Sequence, residues 1–252
     1  VRAGGTIEVE GITMPATETT TVRDIAAGSL AAVRVFEKYG IDYCCGGKRP
    51  LAAVCREKGY DPDAVQRELD AALAGGAAVD RDWSSAPLSE LIEHIVRTHH
   101  DYLRRELPAI QARLETVYRV YNQRYGPTLI GLPEVFFDLR GELEMHIRKE
   151  EMILFPAIVA YEAAGRSGLP LPPTPFGTVA NPIAMMEAEH ESAGQALQSI
   201  REITRNYEVP DYACVTYRAL MSGLDELERD LHLHIHLENN ILFPRAAALE
   251  EK

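Results

Sequence analysis

The chain is poor in every feature that would place it in a membrane, on a nucleic acid or in an oxidising compartment. Its 252 residues contain no apolar run of the roughly 18 residues that a membrane-spanning helix needs. No charged stretch followed by an apolar one opens the chain, so no signal peptide is read there. Cysteine is scarce, with four in all, too few for a disulfide framework at this length, and a reducing, cytoplasmic setting is expected. Basic residues are outnumbered, 26 against 38 acidic, for a net charge of −12. That balance argues against a partner bound through a phosphate backbone. Strand patterns are nearly missing too, apart from a weak alternation in TIEVEGIT.

What remains is helical periodicity and 46% hydrophobic residues, ample for a packed core. Residues 1–19, rich in Gly, Thr and Glu, read as a loose tail. Residues 20–74 read as a small helical module: a short helix from Val22, another over Ser29–Tyr39, a turn at IDYCCGGKRP, a helix to about Lys58 and a helix from Pro62. Pro50 and Pro62 suit first-turn positions and Asp61 suits an N-cap. Residues 75–86 read as a linker. Residues 87–252 hold four long amphipathic stretches, near 87–122, 133–165, 180–207 and 211–250. Gly126-Pro127, GRSGLPLPPTPFG and Val209-Pro210 separate them. The fold class expected is all-α: the small module plus an up-down-up-down four-helix bundle made of a duplicated hairpin.

The duplication is written in the residues. HIRKEEMILFP begins at His146 and HIHLENNILFP begins at His234. Each histidine is followed four residues later by a glutamate, and positions i and i+4 share a helix face. His146 with Glu150, and His234 with Glu238, therefore form two imidazole–carboxylate pairs. An earlier histidine precedes each copy, in LSELIEHIVRTHHDYLRRELPAI and at His190. Bundle cores are where facing helices build metal sites.

Periodicity sorts most of the histidines. On the last helix, Leu220, Leu224, Leu227, Leu231 and Leu242 make an apolar stripe that His234 and Glu238 continue. His232 and His236 fall on the opposite face and read as solvent-exposed. His190, four after Met186 and seven before Leu197, faces the core. On the first helix periodicity favours His99, which is four after Ile95, with His100 at the flank and His94 pointing away.

Four imidazoles and two carboxylates exceed the four ligands of a structural zinc. They lack the oxygen shell of calcium or magnesium. Imidazoles with bridging carboxylates suit iron or manganese, two ions per site. Two carboxylates against two divalent ions leave the site positive. Such a nitrogen-rich set favours the reduced ions and open positions for O2 or NO.

These residues resemble the hemerythrin-like di-iron bundle, and the chain as a whole resembles the Repair of Iron Centres family. The resemblance rests on DYCCGG at Asp42–Gly47, IVRxxHD around His100, HxxKEExILFP from His146, PIxxMExEH ending at His190 and HIxLENNxLFPRA from His234. It implies a non-haem di-iron centre with ligands His100, His146, Glu150, His190, His234 and Glu238. Glu150 and Glu238 would bridge the irons, with an oxo or hydroxo bridge beside them. His100 is preferred to His99 because Asp101 follows it, as in the family.

The resemblance also implies roles for Glu142 and Glu189 beside the site, as a polar channel or proton relay. The first module resembles the ScdA N-terminal domain, whose signature is Cys44 and Cys45. Adjacent cysteines do not easily close an unstrained disulfide, so transient thiol contact with iron or NO is expected. Cys55 is expected in the core, and Cys214 has no assigned role. The implied function is repair of iron–sulfur clusters damaged by nitrosative or oxidative stress. Iron donation is one route, and reduction of two NO to N2O, a nitric oxide reductase activity, is the other. An O2 or NO carrier or sensor is the alternative. Expected partners are damaged iron–sulfur proteins, NO or O2 and an electron donor not named by the sequence, with no nucleic acid or membrane. Monomer and homodimer both stay open.

Overall fold

The computed structural model describes residues 6–9, 12–15, 20–44, 46–74, 82–125 and 129–251. The chain divides into two compact units. One holds Val1–Pro87 and Ile235–Pro244, and the other holds Leu88–His234 and Arg245–Lys252. Among the described residues no helix is long and apolar enough to cross a membrane.

In the first unit, β1 (Thr6–Val9) and β2 (Ile12–Pro15) pair antiparallel, Thr6 opposite Pro15 and Val9 opposite Ile12. Thr6–Val9 and Ile12–Pro15 are thus strands within the stretch expected as a loose tail, in line with the strand preference of Thr, Ile and Val. Four helices follow: α1 (Val22–Gly28), α2 (Leu30–Lys38), α3 (Leu51–Glu57) and α4 (Pro62–Ala74). Thr21 and Asp24 close a reciprocal capping box on α1. Asp61 accepts the Asp63 N–H at 3.1 Å, the capping role expected of it. Val22, Phe36, Ile41, Tyr43, Cys55 and Leu69 are buried in one apolar core together with Ile235.

The turn between α2 and α3 explains its own sequence. The Asp42 carboxylate accepts the backbone N–H of Cys44 at 2.9 Å and of Gly46 at 2.8 Å. The carbonyls of Gly47 and Arg49 accept the N–H groups of Arg23 and Val22 at 2.8 and 3.0 Å. Those are first-turn donors of α1 that have no partner within the helix. A Cβ on Gly47 would lie 2.6 Å from the Tyr43 carbonyl oxygen, so only glycine fits. The Tyr43 carbonyl in turn accepts the Asn240 amide at 2.9 Å.

His236 corrects an expectation. It is 1% exposed rather than on the surface. Its ring meets the Tyr43 ring edge-on, centroids 5.5 Å apart. Burial pushes its pKa down to about 4. The neutral ring lies with Nδ1 2.8 Å from the Asn240 amide nitrogen, so Nδ1 accepts that hydrogen bond. The apolar stripe accounts for one buried face of the last helix, whereas Ile235, beside His236, is also buried in the first unit's core.

The second unit is built on long helical runs. The first joins α5 (Leu88–Ile95) to α6 (Asp101–Tyr125) through a π-helical turn at Val96–His100. The next joins α7 (Leu132–Lys149) to α8 (Phe155–Ser167) through a π turn at Glu150–Leu154. Then comes α9 (Ala180–Ile203). The last run joins α10 (Val215–Leu237) to α11 (Phe243–Ala247) through a π turn at Glu238–Leu242. The all-α bundle expected from periodicity is present. Its core includes Leu107, Leu114, Phe136, Leu143, Leu197, Leu224 and Leu231, all from the four long runs.

Two of the π turns follow from proline. Pro156 and Pro244 have no N–H to return to the carbonyl four residues back, and their rings crowd it. The helix widens instead, and the N–H groups of Phe155 and Phe243 reach the carbonyls of Glu150 and Glu238. The turn at Val96–His100 has no neighbouring proline.

Glu162 of α8 ties the runs together. Its carboxylate accepts the N–H of Leu88 at 2.7 Å and of Ser89 at 3.0 Å, capping α5 from outside. Burial pushes its pKa up, but the hydrogen bonds from Ser89 and Leu88 outweigh that and hold it below the ordinary 4.5. A depressed carboxyl pKa contributes stability that is full above the ordinary value and lost as pH falls through the depressed one. Glu162→Gln is therefore expected to destabilise the chain near neutral pH and to narrow its gap from wild type as pH falls below the ordinary carboxylate value, as read from urea midpoints across pH. Gly47→Ala is expected to cost about 1–3 kcal/mol. Gly46→Ala should cost less, because its Cβ would meet a side chain, the Asp42 carboxylate, rather than backbone. Hydrogen exchange of α1 amides measures both.

Candidate metal centre

The side chains converge through the same turns. His146, His190 and His234 lie within α7, α9 and α10, and His100 closes the first π turn. All four histidines are at most 3% exposed, and Glu150 and Glu238 are fully buried. His100 Nε2 lies 3.2 Å from His234 Nε2. His190 Nε2 lies 3.0 Å from His146 Nε2. Glu150 Oε2 is 3.4 Å from both His100 Nε2 and His146 Nε2.

The result is two overlapping groups. One contains His100, Glu150, His234 and Glu238, and the other contains His146, Glu150, His190 and Glu238. In each, one ligand atom per residue lies within 4.8 Å of the rest. Both carboxylates are common to both groups, and each group takes one histidine from each copy of the repeat. All six residues expected as ligands are thus brought together.

His99 is not among them. Its Nδ1 lies 2.9 Å from Asp230 Oδ1, and its ring stacks on His234 with centroids 5.3 Å apart. Counting at 3.6 residues per turn puts His99 at the stripe centre. The π turn inserts one residue, which rotates the later side chains by about 100° and brings in His100.

The donor set fits metal ions. His100 Nδ1 lies 2.7 Å from Glu151 Oε1, and His146 Nδ1 lies 2.8 Å from Glu189 Oε2. An ionised carboxylate only accepts, so Nδ1 carries the hydrogen and Nε2 presents its lone pair. Burial pushes Glu151 up, but Arg104 and His100 outweigh it and hold it below the ordinary carboxylate value. Lys149 and His146 do the same for Glu189 against its burial. The bare Nε2 of His100 faces His234 Nε2 at 3.2 Å and that of His146 faces His190 Nε2 at 3.0 Å, so each group has an imidazole lone pair aimed at its centre.

The remaining candidates separate. Glu189 is half-buried on His146, whereas Glu142 is exposed and accepts the Ser192 hydroxyl at 3.1 Å. Cys44 is buried in the first unit, its thiol 3.4 Å from Asp42 Oδ1. Cys45 lies outside the described residues. Cys55 is buried and Cys214 is exposed just ahead of α10. Sequence reasoning missed Glu151, whose only signal was its place beside Glu150 in the repeated motif. It also missed Asp230, which had none.

Comparison with known proteins places the chain in a family. Residues 91–246 match the hemerythrin HHE cation binding domain, and residues 18–73 match the ScdA N-terminal family, described as a domain of unknown function. The iron–sulfur cluster repair protein YtfE of Escherichia coli O81 (strain ED1a) is 40% identical over 233 residues, 90% of this chain and 99% of that protein. The YtfE proteins of Escherichia fergusonii and of Escherichia coli O1:K1 match to the same extent. The chain belongs to the YtfE family. A member of this family with a hemerythrin-type bundle has a cation-binding fold, and its buried His/Glu clusters are compatible with iron.

Replacing Glu150 and Glu238 together by Ala removes the carboxylates common to both groups. The double variant is expected to lose stoichiometric metal binding altogether, measured by metal analysis after anaerobic loading and desalting.

Proposed function

We propose that the chain is a di-iron protein that repairs iron–sulfur clusters damaged by nitrosative or oxidative stress. The observation that carries this reading is the pair of two-histidine groups sharing Glu150 and Glu238. In this reading His100 and His234 would hold one iron and His146 and His190 the other, with Glu150 and Glu238 available to both. When bound, the irons supply redox electrons and open positions for a small ligand. The relatives are named for iron–sulfur cluster repair, which supports damaged cluster proteins as the targets. The reduced thiols of Cys44 and Cys55 fit a reducing compartment such as the cytoplasm.

The protein residues have definite tasks. Glu151 and Glu189 keep a hydrogen on the Nδ1 atoms of His100 and His146, so that both Nε2 lone pairs face inward. The buried apolar shell excludes water and strengthens the hold of the carboxylates on cations. Repair by iron donation asks only that this hold be reversible.

A second reading is supported by the partly exposed Glu189 beside His146. Two NO, two electrons and two protons give N2O and water. An external reductant of unidentified type would supply the electrons, and Glu189 with the more exposed Glu142 would pass the protons inward. Cys44 and Cys45 would make transient thiol contact with iron or NO. The symmetric two-histidine groups argue against a simple O2 or NO carrier.

Anaerobic protein loaded with ferrous iron decides between the routes. Iron donation predicts two irons per chain and recovery of an inactivated cluster enzyme by the iron-loaded but not the metal-stripped protein. NO reduction predicts N2O over many turnovers once electrons are supplied. A single iron per chain would overturn the di-iron reading.

A further inference from the structure

Two acids bonded to ligand imidazoles each stand next to a ligand in the sequence. Glu151 follows the ligand Glu150, and Glu189 precedes the ligand His190. Each reaches a histidine on a different helical run: Glu151 to His100 at 2.7 Å, Glu189 to His146 at 2.8 Å. Each is gripped in turn by a cation. Arg104 donates to both oxygens of Glu151 at 2.6 Å. Lys149 donates to Oε1 of Glu189, which leaves Oε2 for His146. Every group of ligands therefore has one cation–carboxylate–imidazole chain, through His100 in one and through His146 in the other.

We propose that Glu151 and Glu189 are positioning residues for the metal centre, each held in place by its own cation, Arg104 or Lys149. The inference rests on the two-metal reading above. Both ion pairs are only partly buried, and each carboxylate bonds to a ligand imidazole as well as to its cation. Their common end is a buried imidazole. A carboxylate on Nδ1–H fixes the tautomer and the ring orientation, and it makes Nε2 a stronger donor. The cation keeps the acid aimed at the imidazole. Arg104 and Glu151 also line a surface cleft of about 350 Å³ with Glu144, Arg148 and Met152. The first chain thus runs from solvent to His100. Glu144 lines the same cleft but bonds to Arg140 at 2.7 Å rather than to a ligand, so it serves as an internal control.

The test uses the full chain loaded anaerobically with ferrous iron. Glu151→Gln, Glu189→Gln and the double variant keep side-chain shape and an oxygen that can accept from Nδ1, but they remove the charge. Glu144→Ala is the control. Release of iron to excess ferrous chelator is followed optically, and the reduction potential of the loaded centre is titrated. Each Gln variant is expected to start with two irons, to release them about 10–100-fold faster than wild type and to have a higher reduction potential. Glu144→Ala should stay within about twofold of wild type, with its potential unchanged. Wild-type release rates and potentials in both Gln variants would overturn the inference while leaving the two-metal reading intact. So would equal acceleration by Glu144→Ala. Fewer than two irons in the wild-type protein would remove the two-metal reading and the inference with it.

Discussion

Two glutamates with no exposed surface, Glu150 and Glu238, are the constraint on which the rest depends. Taking a carboxylate out of water costs several kcal/mol even after the protein relaxes. A core of Leu and Phe does not repay that cost. Inward-facing imidazoles do so only if something positive stands between their lone pairs and the carboxylates. The burial of these two acids, more than the count of histidines, is why the centre of the bundle reads as a cation site. It also accounts for the outer acids, because Glu151 and Glu189 bear on the tautomers that leave the inner nitrogens as acceptors.

Much of this was legible because it followed a single period. The i to i+4 spacing of His146 with Glu150, and of His234 with Glu238, placed four of the six convergent groups. The apolar stripe placed His190. The failures share a cause, which is that periodicity assumes a straight helix with one buried face. The π turn at Val96–His100 adds a residue, and His100 comes inward where an unbroken helix favours His99. The last helix has a second buried face, so His236 lies under Tyr43 rather than in water. Glu151 was written in plain sight, but a carboxylate one position from a ligand looks like surface charge until the neighbouring helix is in place. The paired strands Thr6–Val9 and Ile12–Pro15 were visible only as a weak alternation.

The Leu-Phe-Pro ending of each repeat has its own logic. Proline breaks a backbone hydrogen bond, and on an exposed helix that is a plain loss. Here it falls six residues after each shared glutamate, and the helix responds by widening at the glutamate itself. The widened turn costs local helix stability, and its place beside the ligands is where such turns commonly serve function. Phe155, which closes the first of them, lies along the His100 ring at 5.7 Å. One short motif therefore sets the carboxylate, bends the backbone that carries it and supplies an apolar wall for a facing imidazole.

The pairing of ligands then limits what half of the bundle can do. Each group draws one histidine from each copy of the repeat, His100 with His234 and His146 with His190. A single copy would offer two histidines and one carboxylate, but split between the two groups. Neither copy completes a group alone, so the full ligand set exists only once both are packed. Binding energy that appears only in the assembled state adds to the stability of that state. Anything that loosens the packing of the two copies must therefore loosen the metal as well. For a protein whose proposed task includes giving iron away, that coupling makes release a matter of helix packing as much as of ligand chemistry.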